Sequence, residues 1–396
     1  MDIKLLSNES VEVNEEVVRI RRQIHENPEL SYREHKTAKL VADTLASYGI
    51  EVKSGVGGTG IVGLIRGKSG KVTVGLRADM DALPVNEETG LPFASKNPGV
   101  MHACGHDNHV AMLLGAACII ARHKDELEGN VKFLFQPAEE DGGRGGALPM
   151  IEDGALENPH VDHVFGLHVS SEYPAGVFAL RPGALMAAPD AFEIKIRGRG
   201  GHGSAPHDAV DPIFIGNQVI STLYGIRSRW VDQREPLVIS VCSVHSGTKD
   251  NIIPDEMVLA GTVRTFDETI RGRVKELIRT VSASVGSAYG ARVQVSFKEN
   301  TYPVTYNDPA TTEKVKGVLS KIEGARVIET KPVMGAEDVS RFLEKAPGTF
   351  YFLGTRNESK GLVYPNHSSK FTFDEEYLRY GVLSHVLIAL EFAGSK

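Results

Sequence analysis

The chain has 396 residues, of which 41% are hydrophobic and 24% are charged, and its formal net charge is −7. This composition is typical of a folded protein of about two domains, and the acidic balance argues against nucleic acid as a partner because no basic excess exists to meet phosphates. The chain has only three cysteines, which argues against a disulfide framework, and no N-terminal signal pattern, which argues against export. Its longest apolar run, residues 110–121, is too short to span a membrane. We therefore predict a soluble, cytoplasmic protein without a membrane partner.

Alternating predicted helices and strands indicate that the N-terminal part is an α/β domain. Residues 11–48 predict two helices separated at the NPEL stretch, because a proline disfavours helical backbone in the residue before it. Asp107 is expected to cap a helix that runs to about 123, whose apolar residues recur at helical spacing. The other predicted elements are strands at 51–54, 60–67, 71–80, 131–137 and 163–169 and a helix at 145–152. Apolar strand interiors between helices are typical of a layered α/β domain.

The pattern changes near residue 188, which predicts a second domain inserted into the first. Strands are predicted at 192–198, 237–244, 256–266 and 292–297, and helices at 211–230 and about 268–288. Asp267 is the expected cap of the second helix and Gly290 its expected stop. The order β-α-β-β-α-β is that of a ferredoxin-like unit. We therefore predict a two-domain α/β fold. Its discontinuous parent, at 1–187 and 302–396, has a mixed sheet with helices on both faces, and its α+β satellite spans 188–301.

The stretch MHACGHDNHV at 101–110 concentrates side chains that bind metal ions. Thiolate and neutral imidazole are good ligands for zinc and similar ions, which makes Cys104 and His106 the main candidates. The alternative is a buried cysteine in a polar loop. His102 and His109 are expected to be supporting or structural residues, because the helix is predicted to begin after His106.

Carboxylates follow two predicted strands. Glu139 and Glu140 come after the strand that ends near Pro137, so one acid could bind a metal while its neighbour serves as a base. The alternative is a solvated acidic turn. Asp79 and Asp81 follow the strand at 71–80, where a carboxylate often orients a metal-binding histidine, the alternative being an Asx turn.

Six stretches in this order resemble the metal-dependent aminoacylase and carboxypeptidase family: MHACGHDNH, QPAEE, GLHV, GHGSAPH, NIIPDE and PNHSSKF. The similar branch holds thermostable carboxypeptidases, hippurate hydrolases and auxin-conjugate amidohydrolases, and the resemblance covers nearly the whole chain. It is strongest to the broad-specificity thermostable carboxypeptidases, through AEEDGG, HSGTKDNIIPD and APGTFYFLGTRNE.

The resemblance implies a centre of two divalent ions, with zinc expected first and cobalt, manganese or nickel as alternatives. The implied ligands are Cys104, His106, Glu140, His168 and His367. Cys104 would bridge the ions, Glu139 would be the general base, and Asp79 would orient a ligand. Arg77 departs from the wider family, where many members have a metal-binding histidine at this place.

In the satellite, the resemblance gives three further residues a role. His202 matches a histidine that reaches the active site of a neighbouring subunit and polarises the scissile carbonyl. Asn251 and Arg264 match residues that hold the substrate's carboxylate, for which arginine offers a planar fork. Family members form dimers through the satellite and some form tetramers, so a homodimer or homotetramer is expected.

The predicted function is a dinuclear metallocarboxypeptidase. It would release a C-terminal amino acid from a short peptide or an N-acyl amino acid by hydrolysing the adjacent amide bond. An N-acyl-amino-acid amidohydrolase of the aminoacylase or hippurate hydrolase type is the first alternative. A non-catalytic amino-acid binder on the same fold and a chain whose metals are only structural are the others.

Overall fold

The computed structural model describes residues 2–394. Its helices are α1 (Ile3–Glu12), α2 (Asn14–His25), α3 (His35–Ser47), α4 (His106–Arg122), α5 (Ala147–Glu152), α6 (Pro212–Trp230), α7 (Glu268–Ala288), α8 (Pro309–Leu319), α9 (Ser340–Leu343) and α10 (Leu378–Ala393). Its strands are β1 (Glu51–Val56), β2 (Gly60–Ile65), β3 (Thr73–Asp79), β4 (Asn130–Gln136), β5 (His163–Pro174), β6 (Val177–Leu180), β7 (Gly183–Met186), β8 (Ala188–Arg197), β9 (Gly201–His202), β10 (Leu237–Ser246), β11 (Ile252–Ile253), β12 (Glu256–Thr265), β13 (Arg292–Phe297), β14 (Thr305–Asn307), β15 (Arg326–Glu329) and β16 (Gly348–Arg356).

The chain forms two compact units. The first combines the chain up to Leu185 with Thr305–Pro332 and the chain from Glu337 onward, and the second consists of Met186–Val304 and Val333–Ala336. The sequence placed the satellite at 188–301, and it gave no sign that the short segment at 333–336 would return to the second unit.

The first unit is built on an eight-stranded mixed sheet in the order β1-β2-β4-β3-β5-β16-β6-β15, which confirms the predicted fold class. Its centre is parallel, because β3 pairs in parallel with β4 and β5, and β5 in parallel with β16. Strands β2, β3 and β4 are buried along their whole length, as expected for interior strands that read as continuous apolar runs. Helices α4 and α10 pack on each other and on β3, and both are buried nearly all round.

The N-terminal segment contains three helices: α2 and α3 are the two predicted within 11–48, and α1 lies mostly before that range. The additional helix, α1, is capped by Asp2, whose side chain accepts a hydrogen bond from the backbone N–H of Lys4. Only Leu6 and Ser10 of this helix are buried, so it lacks a broad buried stripe. The predicted break at the NPEL stretch lies between α2 and α3.

The second unit contains a four-stranded antiparallel sheet in the order β10-β12-β8-β13, against which α6 and α7 pack. Its main elements follow the order β-α-β-β-α-β. Asp267 caps α7 by accepting a hydrogen bond from the N–H of Ile270, and Gly290 follows the helix with a φ of 77°, as predicted for a stop signal. Across residues 2–394, no helix is long and apolar enough to cross a membrane.

Candidate active site

The site lies where the central parallel strands of the first unit end. Strand β3 ends at Asp79, and Glu139 and Glu140 follow β4 after a short turn. His168 lies midway along β5, two residues beyond the last pair that β5 makes with β3. The carboxyl ends of parallel strands meet at one edge of a sheet, which is where open α/β sheets place their ligands.

The five predicted metal ligands converge at this edge. The Sγ atom of Cys104 lies 3.4 Å from Nε2 of His168 and 3.3 Å from Nε2 of His367. The Oε1 atom of Glu140 lies 3.4 Å from Nε2 of His367 and 3.9 Å from Nε2 of His106. The ligand atoms of Cys104, His106 and Glu140 all lie within 4.8 Å of one another. Side chains separated by up to 263 positions in sequence therefore surround one small volume.

Gly105 allows the backbone to present Cys104 and His106 on either side of a tight turn. Its φ is 92°, in the left-handed region that favours glycine, and an added Cβ would lie 2.4 Å from Cγ2 of Val169. The predicted cap at Asp107 is wrong: helix α4 begins at His106 with Gly105 as its N-cap, two residues earlier than expected, and the Asp107 side chain bonds to Arg21 and His25 instead. The cysteine thus remains in the loop while the histidine occupies the first turn of the helix.

Hydrogen bonds fix which ring nitrogen each histidine offers. Nδ1 of His106 contacts Oδ1 of Asp81 at 3.2 Å, and Nδ1 of His168 donates to the carbonyl of Val169 at 2.7 Å. Because the protonated nitrogen faces the oxygen in each case, the neutral ring has its lone pair on Nε2, where a metal can bind it. His109 differs, since Nδ1 bonds to Asp79 and Nε2 accepts the N–H of Val169, so neither nitrogen is available. His102 is buried, and no cluster of ligand atoms in the described chain includes it.

Asp81 contacts Nδ1 of the predicted ligand His106, whereas Asp79, which is predicted to orient a ligand, bonds to Nδ1 of His109. Asp81 holds Nδ1 of His106 and also accepts the backbone N–H groups of Glu139, at 3.1 Å, and Glu140, at 2.9 Å. Asp79 is the last residue of β3, and Nη1 of Arg77 donates a hydrogen bond to its carboxylate at 2.7 Å. The sequence showed both aspartates but not the end of the strand, and the end of the strand decides which of them faces the ligand.

Glu139 belongs to a buried acidic group that the sequence did not reveal. Carboxylate oxygens of Glu139, Glu337 and Asp338 lie within 4.8 Å of one another. Arg77 is completely buried beside them and binds Glu337 at 2.9 Å and Asp338 at 3.2 Å. Burial raises the pKa of Glu337 to about 8 and that of Asp338 to about 6, against the opposing effect of Arg77. The adjacent acids in the GAED stretch at 335–338 were the available sequence signal.

A second missed residue, Glu34, supports the turn before Glu139. Its buried carboxylate accepts hydrogen bonds from the N–H of Ala138 at 2.9 Å, the N–H of Tyr32 at 2.9 Å and the hydroxyl of Thr59 at 2.5 Å. Ala138 has a φ of 53°, which is unusual for a residue with a side chain. The buried acid therefore helps to maintain the strained turn that directs Glu139 and Glu140 into the site.

The electrostatics of the cluster suit cations. Nε2 of His106 and Oε1 of Glu140 are buried and have no hydrogen-bond partner within residues 2–394. Burial and then nearby carboxylates raise the pKa values of Cys104 and Glu139 well above their usual ranges. Burial opposes protonation of His106, but Asp79, Asp81 and Glu140 outweigh it and raise the pKa of this histidine to about 10. These groups all favour the addition of positive charge, and the S, N and O donor set matches zinc-like ions.

The second unit contains the other three predicted residues. His202 is exposed on β9, and its Nδ1 accepts the backbone N–H of Ser204 at 3.1 Å. Asn251 is also exposed, and its backbone carbonyl accepts a hydrogen bond from the N–H of Gly203 at 2.9 Å. Arg264 lies on β12 and donates to the hydroxyl of Thr262 and to the carbonyl of Val263. Within the described residues, no hydrogen bond or ion pair joins Arg264 to either of the other two.

Comparison with known proteins places this arrangement in a family. Residues 75–391 match the sequence profile of peptidase family M20/M25/M40. The chain belongs to this family. As an M20 member it is a hydrolase, and the resemblance noted from the sequence is confirmed.

M20 relatives match over nearly the full chain. Thermostable carboxypeptidase 2 from Saccharolobus solfataricus is 55% identical over 392 residues, which are 99% of each chain. N-acetyl-L-cysteine deacetylase from Bacillus subtilis is 39% identical over 94% of this chain and 88% of its own. The crystal structure of the Bacillus subtilis YXEP protein, described as a dinuclear metal binding peptidase of the M20 family, superposes with a TM-score of 0.83 at 34% identity, over 96% of this chain and 99% of its own.

Proposed function

We propose that this M20 hydrolase is a metallocarboxypeptidase that hydrolyses the amide bond next to a free C-terminal amino acid. Its substrates would be short peptides or N-acyl amino acids. The convergence of Cys104, His106, Glu140, His168 and His367 beside Glu139 is the observation that carries the proposal. The high identity to a chain named as a carboxypeptidase supports the choice of reaction.

The five converging side chains would hold two divalent ions, zinc first and cobalt, manganese or nickel as alternatives. The short contacts of Cys104 with two histidines support a shared position for its thiolate. Bound divalent ions polarise a substrate carbonyl and lower the pKa of water towards neutrality. The relative described as a dinuclear metal binding peptidase supports the number of ions.

Glu139 would move the proton. Its carboxylate takes a proton from the attacking water and delivers it to the leaving nitrogen of the amide. Burial and neighbouring acids raise the pKa of Glu139, which strengthens it as a base and lets it hold the proton until transfer. Arg77 holds the adjacent acids Glu337 and Asp338 in place.

Residues of the second unit would bind and polarise the substrate. The backbone N–H of Ser204 can only donate, so Nδ1 of His202 is an acceptor and the proton lies on Nε2. His202 would donate this proton in a hydrogen bond to the carbonyl oxygen in the active site of a neighbouring subunit, a type of contact worth about 2.7–4 kcal/mol in the transition state. Asn251 and Arg264 would hold the free carboxylate of the C-terminal residue.

The division of labour between the units follows from these roles. The first unit would be the catalytic domain and the second the dimerisation domain of a homodimer or homotetramer. Exposed apolar side chains on the second unit support an interface there: Ile213, Phe214, Tyr224 and Val244. A cytoplasmic location is supported by the three cysteines, all of which are free.

A substrate panel tests the proposed reaction. Zinc-loaded protein is incubated with unblocked dipeptides and with acetyl and hippuryl amino acids that share the same C-terminal residues. Release of the C-terminal amino acid from peptides supports the carboxypeptidase. A strong preference for the acyl compounds favours the amidohydrolase, for which the identity to a named deacetylase argues. No turnover of either class would favour a non-catalytic binder.

Three further measurements test the assigned roles. Elemental analysis should find about two divalent ions per chain, and fewer than one would contradict the ligand set. Glu139→Gln should retain metal but lose turnover by about 100-fold or more, whereas retained turnover would indicate structural metals. His202→Ala should be inactive, and mixing it with Glu139→Gln protein should restore activity if the histidine serves a neighbouring subunit. No recovery after demonstrated subunit exchange would contradict that role.

A further inference from the structure

Asn366 makes an unusually complete set of hydrogen bonds beside the metal cluster. Its Nδ2 donates to the carbonyls of Cys104 and Val169, each at 3.1 Å. Its Oδ1 accepts from the N–H and the hydroxyl of Ser171, each at 3.0 Å. Backbone carbonyls can only accept, so the amide nitrogen must face them and the orientation of the side chain is determined. Both donors and both acceptor positions of the amide are therefore used.

These bonds connect the three segments that carry Cys104, His168 and His367. The first carbonyl belongs to Cys104 itself, the second belongs to the residue after His168, and Asn366 directly precedes His367. The carbonyl of Val169 also accepts Nδ1 of His168 at 2.7 Å, so this amide and this ligand share one acceptor. One side chain thus fixes the relative positions of three backbone segments that are distant in sequence.

The conformation of His367 requires such support. Its φ is 70°, a left-handed conformation that is costly for a residue with a side chain and that persists only where surrounding contacts impose it. Its N–H donates to the carbonyl of Ala103 at 2.8 Å, and the N–H of Asn366 donates to the Ser171 hydroxyl at 3.1 Å. Without the amide of Asn366, this loop would lose four of its hydrogen bonds to the segments of Cys104 and His168.

We propose that Asn366 is a positioning residue of the metal centre, which sets the affinity for divalent ions by holding the segments of Cys104, His168 and His367 in register. The inference rests on the proposed function, because it requires that these side chains bind metal. Asn366 acts through the backbone and does not itself touch the ligand atoms. Removal of a partner that orients metal ligands lowers metal affinity by about 10- to 100-fold.

Asn366→Ala tests the inference, with Asn307→Ala as the matched control. Asn307 is an asparagine of the first unit that is buried, whereas Asn366 is half-buried, and its amide likewise bonds to backbone groups, the carbonyls of Arg181 and Phe350 and the N–H of Phe350. It lies outside the ligand cluster, so its loss should lower stability without changing metal affinity. Both variants and the wild type are stripped of metal, and their zinc affinity is measured by competition with a chromophoric chelator.

We expect Asn366→Ala to bind zinc about 10- to 100-fold more weakly than wild type, and Asn307→Ala to bind it as wild type does. After cobalt substitution, the absorption from the Cys104 thiolate should also change in the first variant alone. Unchanged zinc affinity and an unchanged cobalt spectrum in folded Asn366→Ala would overturn the inference. Equal weakening in both variants would also overturn it, since the effect would then be one of general destabilisation.

Asn366→Asp gives the same test if the alanine variant does not fold. It keeps the acceptors for Ser171 but replaces the two donors to carbonyls with an oxygen. Its added negative charge attracts cations, so weaker zinc binding would be strong support and unchanged or tighter binding would overturn the inference. Wild-type turnover of the substrate panel is recorded in parallel. Wild type that binds zinc but hydrolyses nothing contradicts the proposed function, whereas normal wild type beside a normal Asn366 variant contradicts only this inference.

Discussion

Arg77→Met should be among the most destabilising single substitutions in the first unit. The guanidinium is 0% exposed and binds Asp79 at 2.7 Å, Glu337 at 2.9 Å and Asp338 at 3.2 Å. Removing one partner of a buried ion pair leaves uncompensated charge and costs about 3–5 kcal/mol. Methionine fills much of the same volume, so the expected loss in the free energy of unfolding is mainly electrostatic and falls in that range.

Urea unfolding followed by far-ultraviolet circular dichroism measures this loss, on protein stripped of divalent ions so that metal binding does not contribute. Adding Asp79→Asn to Arg77→Met removes the carboxylate that Arg77 binds at 2.7 Å and whose pKa lies well below its usual range, so it should recover part of the stability, with a coupling of about 0.5–3 kcal/mol. Arg66→Met is the matched control, because its pair with Glu51 is exposed on both sides and worth about 0–1 kcal/mol. A loss below 1 kcal/mol for Arg77→Met, or zero coupling, would refute the assignment of Arg77 as the counter-charge of this group.

Three other substitutions give separate tests. Asp81→Asn should weaken zinc binding by about 10- to 100-fold in a chelator competition, because His106 loses its carboxylate partner, and equal affinity would return the orienting role to another residue. Gly105→Ala should also lose metal, since the added Cβ meets a neighbouring side chain at 2.4 Å and the φ is 92°, and a normal metal content would show that the loop adapts. Burial disfavours the charge on His123, but hydrogen bonds to two glutamates raise its pKa overall in the folded protein. Protonated His123 therefore stabilises the fold below the pKa that it has in the unfolded chain, and this contribution is lost as the pH rises through its pKa in the folded protein. His123→Gln should therefore destabilise more at about pH 5.5 than at about pH 9 in urea unfolding, and a loss independent of pH would contradict the pairing.

Local sequence patterns predicted the elements that have strong periodicity or clear caps. Helix α7 was expected with its cap at Asp267 and its stop at Gly290, and both were found. The position of β16 in the sheet was not predictable in this way. It pairs with β5, so that Phe352 lies opposite His168 across a sequence separation that no local pattern reports. Long-range packing decides which parallel strands pair. For residues 302–396 the sequence analysis therefore predicted only that helices and strands occur, not where they lie.

The full set of predicted ligands depended on the resemblance to a family. Most of the residues that position these ligands could not be identified from the sequence. Asp81, Glu337 and Asn366 act through hydrogen bonds to groups far away in sequence. Their residue types are ordinary for loops and turns, so each had a plausible local explanation. Only the end of β3 and the course of two loops determine which carboxylate or amide faces the cluster.

Hydrogen bonding separates the ligands from their neighbours better than distance does. Asp79, His106, His109 and His168 also form a group with ligand atoms within 4.8 Å of one another. Asp79, however, bonds to Arg77 and His109, and His109 gives its remaining nitrogen to a backbone N–H. Lone pairs engaged in this way cannot bind an ion without breaking buried hydrogen bonds, which is costly. Arg77 thus compensates the acids on one side of the site. On the other side Cys104 and Glu140 contact histidines whose ring nitrogens are good metal donors, and that half is complementary to divalent cations.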